Sequence, residues 1–116
     1  MLDDTCFRSV AALRNAYSTG ELCPVEVTET TLARIREVDP IVHAMSARLD
    51  DLARTQAAAA KESYRLGTAG RMAGIPVSIK DTFDIEGHVS TYGSLAFRTN
   101  LAVADSGSVR RLRAAG

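Results

Sequence analysis

One short segment constrains the fold of this chain more than any other, because it has the pattern of a strand without a partner. Residues 74–81 read Gly-Ile-Pro-Val-Ser-Ile-Lys-Asp, an apolar run with β-branched residues between turn formers. This pattern is typical of a mostly buried strand. A single strand leaves its backbone donors and acceptors unpaired. We therefore predict an α/β fold, a mixed sheet covered by helices, of which this chain holds only a part.

The rest of the chain is predicted to be helical, since apolar residues recur at helical spacing in four stretches. We treat residues 1–67 as a helical part and residues 74–116 as a strand-loop-helix part of the N-terminal segment of one domain. The segment 41–47 fits either a strand edge or an extended connector. The predicted helices run from about Thr5 to Tyr17, from Pro24 to a break at Asp39-Pro40, from Asp50 to Gly67, and from a cap at Asp105 to Gly116.

Charge and cysteine usage narrow the classes of partner. Basic and acidic residues both number 14, so the net charge is zero and offers no attraction for nucleic acid or an anionic membrane. Two cysteines make no disulfide framework, and no secretory signal or membrane-spanning run is visible, so we expect a cytoplasmic location. His43 and His88 have no further ligand at metal-binding spacing. We expect neither a metal nor an organic cofactor.

Lys80 is the candidate catalytic residue, because lysine is almost never fully buried without a partner or a purpose. At the end of an apolar strand, loss of water would favour the neutral amine. A neutral amine could serve as general base for a hydroxyl nucleophile. The residues alone leave a second interpretation open, in which the amine reaches solvent or pairs with Asp81 or Asp84.

The block around Lys80 resembles the one that carries the catalytic lysine in amidase-signature enzymes, a family that includes the amidotransferase A subunit. The resemblance implies hydrolysis of linear amides by a Ser-Ser-Lys triad, in which Lys80 is the base and a serine attacks the amide carbon. It also suggests supporting roles for Asp81 and Ser94, and a small-molecule amide as substrate. The segments that carry the resemblance are 74–81, 84–87, 90–94, 105–116 and, more weakly, 20–26 and 34–40.

The chain departs from the family pattern in one respect. The Gly/Ser-rich stretch that holds both family serines has no counterpart in these 116 residues. We therefore expect the chain alone to be inactive and expect the family sequence to continue past Gly116. The alternative is a non-catalytic remnant or a small helical interaction module. The sequence does not identify the amide substrate, and a homodimer of the full-length protein is possible. Residues 81–84 favour a general amidase over the amidotransferase A subunit.

Overall fold

A computed structural model describes residues 4–116, and the chain divides into two compact units. The first unit ends at Pro76 and also includes Gly116, and the second unit comprises Val77–Ala115. The boundary between the units lies inside the segment predicted as a strand. None of the helices in the described part of the chain is long and apolar enough to cross a membrane.

The first unit consists of helices around a small apolar core. A short 3₁₀ helix, Asp4–Phe7, precedes α1 (Val10–Thr19), α2 (Pro24–Val42) and α3 (Asp50–Arg65), and α2 packs against both α3 and the 3₁₀ helix. The core is formed by Leu13, Tyr17 and Val27, with Leu22, Tyr64 and Ile75 packed against it.

The first predicted helix is interrupted, because Ser9 caps α1 instead of lying inside a longer helix. The Ser9 hydroxyl accepts a hydrogen bond from the Ala12 amide, which satisfies one of the free donors of a helix start. Gly20 then ends α1 in the left-handed conformation, as its position predicted.

The predicted end of the second helix at Asp39-Pro40 is wrong, because α2 continues to Val42 with Pro40 inside it. A proline removes one intrahelical hydrogen bond, and here it does so only in the last turn. The Asp39 carboxylate accepts hydrogen bonds from the amides of Ala44 and Met45, at 2.8 and 3.0 Å, which secures the chain just beyond the helix. Residues 41–47 therefore begin as helix and continue as a connector.

The second unit is built from loops, two short helices and a brief antiparallel contact. The contact joins Val89 to Leu101 as an isolated bridge. A 3₁₀ helix spans Leu95–Phe97, and α4 spans Gly107–Ala114. Ser106, and not Asp105 as predicted, caps α4, since its hydroxyl accepts the Val109 amide. The buried residues of this unit are Ser90, Ala102 and Val109.

The strand predicted over residues 74–81 does not form, and the described residues contain no strand. Residues 75–80 form neither a helix nor a strand. The backbone groups of Val77, Ser78 and Ile79 make no hydrogen bond to any residue in the 4–116 range. The predicted mixed sheet is therefore not present in the described residues, because nothing among them pairs with this segment.

Candidate functional site

Lys80 lies at the end of the unpaired segment and is exposed to solvent. Its carbonyl accepts a hydrogen bond from the Phe83 amide at 2.9 Å, which closes a turn directly after the lysine. The side-chain amine has no hydrogen bond or ion pair with any of residues 4–116. The desolvation expected of a catalytic base is not seen among residues 4–116, where the Lys80 side chain is exposed.

The Asp81 carboxylate is committed to Thr91 and not to Lys80. One carboxylate oxygen accepts the Thr91 amide at 3.0 Å, and the other accepts the Thr91 hydroxyl. These two hydrogen bonds stabilise the charged form and lower the pKa of Asp81. The Asp81 carbonyl also accepts the Tyr92 amide at 3.2 Å. Asp81 therefore joins the turn after Lys80 to the turn that begins at Thr91.

Asp84 is likewise engaged away from Lys80. The Tyr92 hydroxyl donates a 2.6 Å hydrogen bond to the Asp84 carboxylate, which favours the neutral phenol and raises the pKa of Tyr92. Tyr92 has a positive φ of 51°, and its ring meets Phe97 edge-on at 5.4 Å between centroids. Hydrogen bonding and ring packing together hold Tyr92 in a conformation that a bulky side chain rarely adopts.

Ser94 has a capping role in this structure. Its hydroxyl accepts the Ala96 amide at 3.2 Å at the start of the short 3₁₀ helix, and its own amide donates to the Thr91 carbonyl at 2.9 Å. Ser94 and Asp81 are therefore both hydrogen-bonded to Thr91. Sequence reasoning singled out Asp81 and Ser94 as supporting residues, and the structure connects them through a third residue.

Thr91 is the residue that sequence reasoning did not weigh. It donates twice to Asp81, its hydroxyl accepts the Gly93 amide at 3.2 Å, and its carbonyl accepts the Ser94 amide. The contact with Asp81 spans ten positions along the chain, so no local turn or cap pattern could have revealed it.

A second acidic contact fixes the far end of the same unit. The Asp105 carboxylate accepts the Glu86 amide at 2.8 Å and pairs with the Arg113 guanidinium at 2.6 Å. The hydrogen bond from Glu86 lowers the pKa of Asp105, and Arg113 adds to the effect. Asp105 thereby holds the loop at Glu86 against α4, which explains why Ser106 takes the capping role.

The two histidines each take part in local backbone structure. His43 terminates α2 in the left-handed conformation, and the His88 ring contacts the Glu86 carbonyl. Across residues 4–116, no group of three or more His, Cys, Asp or Glu side chains is placed to hold an ion.

Comparison with known proteins shows that the chain is similar to amidases. The amidase family matches residues 26–116, a range that includes Lys80 and Thr91. AmiB2 of Mycobacterium tuberculosis, whose name marks it as an amidase candidate, is 38% identical over 97% of this chain and 24% of its own length. The glutamyl-tRNA(Gln) amidotransferase A subunit of Halorhodospira halophila is 35% identical over 94% of this chain and 22% of its own length.

The same similarity holds for solved structures. A chain from a vestigial protein complex, studied for the evolutionary origins of an s-triazine catabolic enzyme, superposes with a TM-score of 0.89. It is 32% identical, and the match covers 94% of this chain and 24% of that chain. The present chain thus spans about a quarter of the length of the relatives it matches.

Proposed function

The chain belongs to the amidase family, and on that premise we propose that it supplies the catalytic lysine of a hydrolase acting on amide carbon–nitrogen bonds. The family match covers the segment that carries Lys80. One structural observation carries the proposal. The Lys80 amine is unpaired among residues 4–116, although two carboxylates, Asp81 and Asp84, lie within four positions of it in sequence. Both carboxylates are hydrogen-bonded elsewhere.

The proposed reaction is serine acyl transfer. Lys80, as a neutral amine, takes a proton through a bridging serine from a nucleophilic serine, whose oxygen attacks the amide carbon. Backbone amides stabilise the negative oxygen of the tetrahedral intermediate. The leaving amine takes up the proton as the C–N bond breaks, and water then releases the acid from the acyl-serine. Both serines would lie in a part of the family sequence that has no counterpart among these 116 residues.

The proposed fold of the complete enzyme is α/β. The backbone groups of residues 77–79 make no hydrogen bond to the described residues, so their donors and acceptors are available to a neighbouring strand. Elements packed on the face of such a sheet would cover Lys80, and removal of water would favour the neutral amine that a base requires. By itself the 116-residue chain is expected to be inactive.

The test is a substitution of Lys80 in the complete protein. Lys80→Ala should lower the rate of amide hydrolysis by several orders of magnitude, because the serine would lose its base. Lys61→Ala is the matched control, since Lys61 is the other lysine of these 116 residues and is exposed on α3. Circular dichroism would establish that both variants are folded. A folded Lys80→Ala protein with most of its activity would refute the assignment.

A second candidate function is a non-catalytic interaction module. The observation in its favour is the exposure of large apolar side chains in the second unit, with Leu95 at 81% and Val103 at 90% of full exposure. Some relatives are named as subunits, which is consistent with a protein partner. A self-sufficient module should melt cooperatively as a monomer. A remnant of a larger enzyme should instead bind a hydrophobic dye or aggregate.

A further inference from the structure

We propose that Thr91 is a positioning residue for Lys80, acting through Asp81. The inference rests on the proposed function, because it concerns how the base of that reaction is placed. Thr91 has no hydrogen bond with the lysine amine, and its effect is transmitted along the main chain. It is the point at which the turn after Lys80 and the turn ending at Ser94 are tied together.

The main chain at Lys80 is fixed from one side only. On the N-terminal side, residues 77–79 have no backbone hydrogen bond to the described part of the chain. On the C-terminal side, the Lys80 carbonyl accepts the Phe83 amide at 2.9 Å, and Asp81 is bonded to Thr91 and Tyr92. The direction in which Lys80 leaves the backbone is therefore set by the turn that Asp81 begins.

Thr91 supplies both hydrogen bonds to the Asp81 carboxylate that hold this turn. Its amide and its hydroxyl both donate to the Asp81 carboxylate, and the same hydroxyl accepts the Gly93 amide. The hydroxyl thus acts as donor and acceptor at once, so its removal breaks two contacts. Hydrogen bonds to a charged acceptor are stronger than neutral ones.

Thr91 also keeps a negative charge away from the base. Asp81 follows Lys80 directly, and a carboxylate released from Thr91 would be available to pair with the lysine ammonium. Such an ion pair would stabilise the charged amine, which cannot accept a proton. The proposed role of Thr91 is therefore both geometric and electrostatic.

The first test uses the complete protein and needs no activity. After ¹⁵N-lysine labelling, the backbone amide signals of Lys61 and Lys80 are assigned by their loss in Lys61→Arg and Lys80→Arg. Thr91→Val should shift or broaden the Lys80 signal and leave the Lys61 signal in place. Thr91→Ser, which keeps the hydroxyl, should restore the wild-type position. The matched control is Thr99→Val, at an exposed threonine of the same unit whose hydroxyl has no partner in the described structure.

The second test uses the complete protein and separates binding from chemistry. Thr91→Val should lower kcat at least tenfold with KM changed by less than about threefold, and Thr91→Ser should stay within about threefold of wild type in both. An unmoved Lys80 signal in Thr91→Val would overturn the proposal, whatever the enzyme does. So would an unchanged kcat in Thr91→Val when Lys80→Ala is inactive. Failure of the proposed function is distinguishable, since Lys80→Ala would then remain active.

Discussion

Replacement of Gly74 by alanine should destabilise the first unit by an amount that the structure allows to be divided into two parts. Gly74 has a φ of +74°, in the left-handed region. A side chain there costs roughly 1–2 kcal/mol, because the Cβ approaches the following carbonyl. The added Cβ would also lie 2.8 Å from Pro24 Cβ, 2.9 Å from Pro24 Cγ and 3.2 Å from Tyr17 Cε2.

The overlap with Pro24 cannot be relieved by a small movement of either residue. The proline ring is rigid and forms the first turn of α2, so it cannot rotate away. The Gly74 carbonyl meanwhile accepts the Tyr17 hydroxyl at 2.9 Å, which resists movement of Gly74. Overpacking of this kind costs about 1–3 kcal/mol. The two parts together predict a loss of about 2–5 kcal/mol in the free energy of unfolding.

Gly67 provides the matched control for this prediction. Its φ of +71° is almost the same, but nothing lies within 4 Å of an added Cβ. Gly67→Ala should therefore show the conformational cost alone, and the two variants should differ by about 1–3 kcal/mol. Urea unfolding followed by far-ultraviolet circular dichroism measures the difference as a shift in midpoint at constant slope. Equal midpoints for the two variants would show that contact with Pro24 is not what excludes a side chain.

Two further predictions concern pH. Burial, aided by the nearby Tyr64 and Cys23, raises the pKa of Tyr17 from 10.0 to about 12. The contribution of the neutral Tyr17 phenol to the free energy of unfolding is therefore complete below pH 10 and is lost as the pH rises through about 12. Tyr17→Phe should be about 1 kcal/mol less stable at neutral pH and lack that alkaline loss in urea titrations. The pKa of Asp105 is lowered from its ordinary value of 3.8. The free energy of unfolding of the wild type should therefore exceed that of Asp105→Asn by a constant amount above pH 3.8, and the difference should vanish as the pH falls through the lowered pKa. A constant difference between these two proteins down to pH 2 would contradict this account.

Helix boundaries were predictable wherever one residue controls the local backbone. Gly20 and Gly67 both take positive φ where the sequence placed helix ends, and Pro24 begins α2 as predicted. Asp50 begins α3, also as predicted. The positions of Gly20, Gly67 and Pro24 depend on the conformational range of single residues, which the sequence shows directly.

The two errors in helix boundaries arose where carboxylate contacts of the folded chain outweighed the signal of a single residue. Asp105 looked like a helix cap, but its carboxylate is used by Glu86 and Arg113, so the next residue caps α4. Pro40 looked like a helix end, but the Asp39 carboxylate secures the chain beyond it. The hydrogen-bond partners of these two carboxylates could not be identified from residue spacing, because they are brought together only in the folded chain.

The candidate site shows the same limit. The apolar run before Lys80 predicted a buried strand, yet a strand and its burial both depend on neighbours, and residues 4–116 provide none. The roles of Lys80, Asp81 and Ser94 in catalysis stay predictions. The hydrogen bonds around Asp81 and Ser94 show what holds these residues, and they direct attention to Thr91, to which the sequence assigned no role.

The distribution of tyrosines gives each unit an optical reporter of its own. The chain has no tryptophan and three tyrosines, so its near-ultraviolet emission comes from Tyr17 and Tyr64 in the first unit and Tyr92 in the second. Tyr17 and Tyr64 lie 5.4 Å apart and donate to backbone carbonyls, whereas Tyr92 donates to a carboxylate. A phenol bonded to a carboxylate can lose its proton in the excited state and emit at longer wavelength. The emission spectrum should therefore separate the unfolding of the two units without any added label.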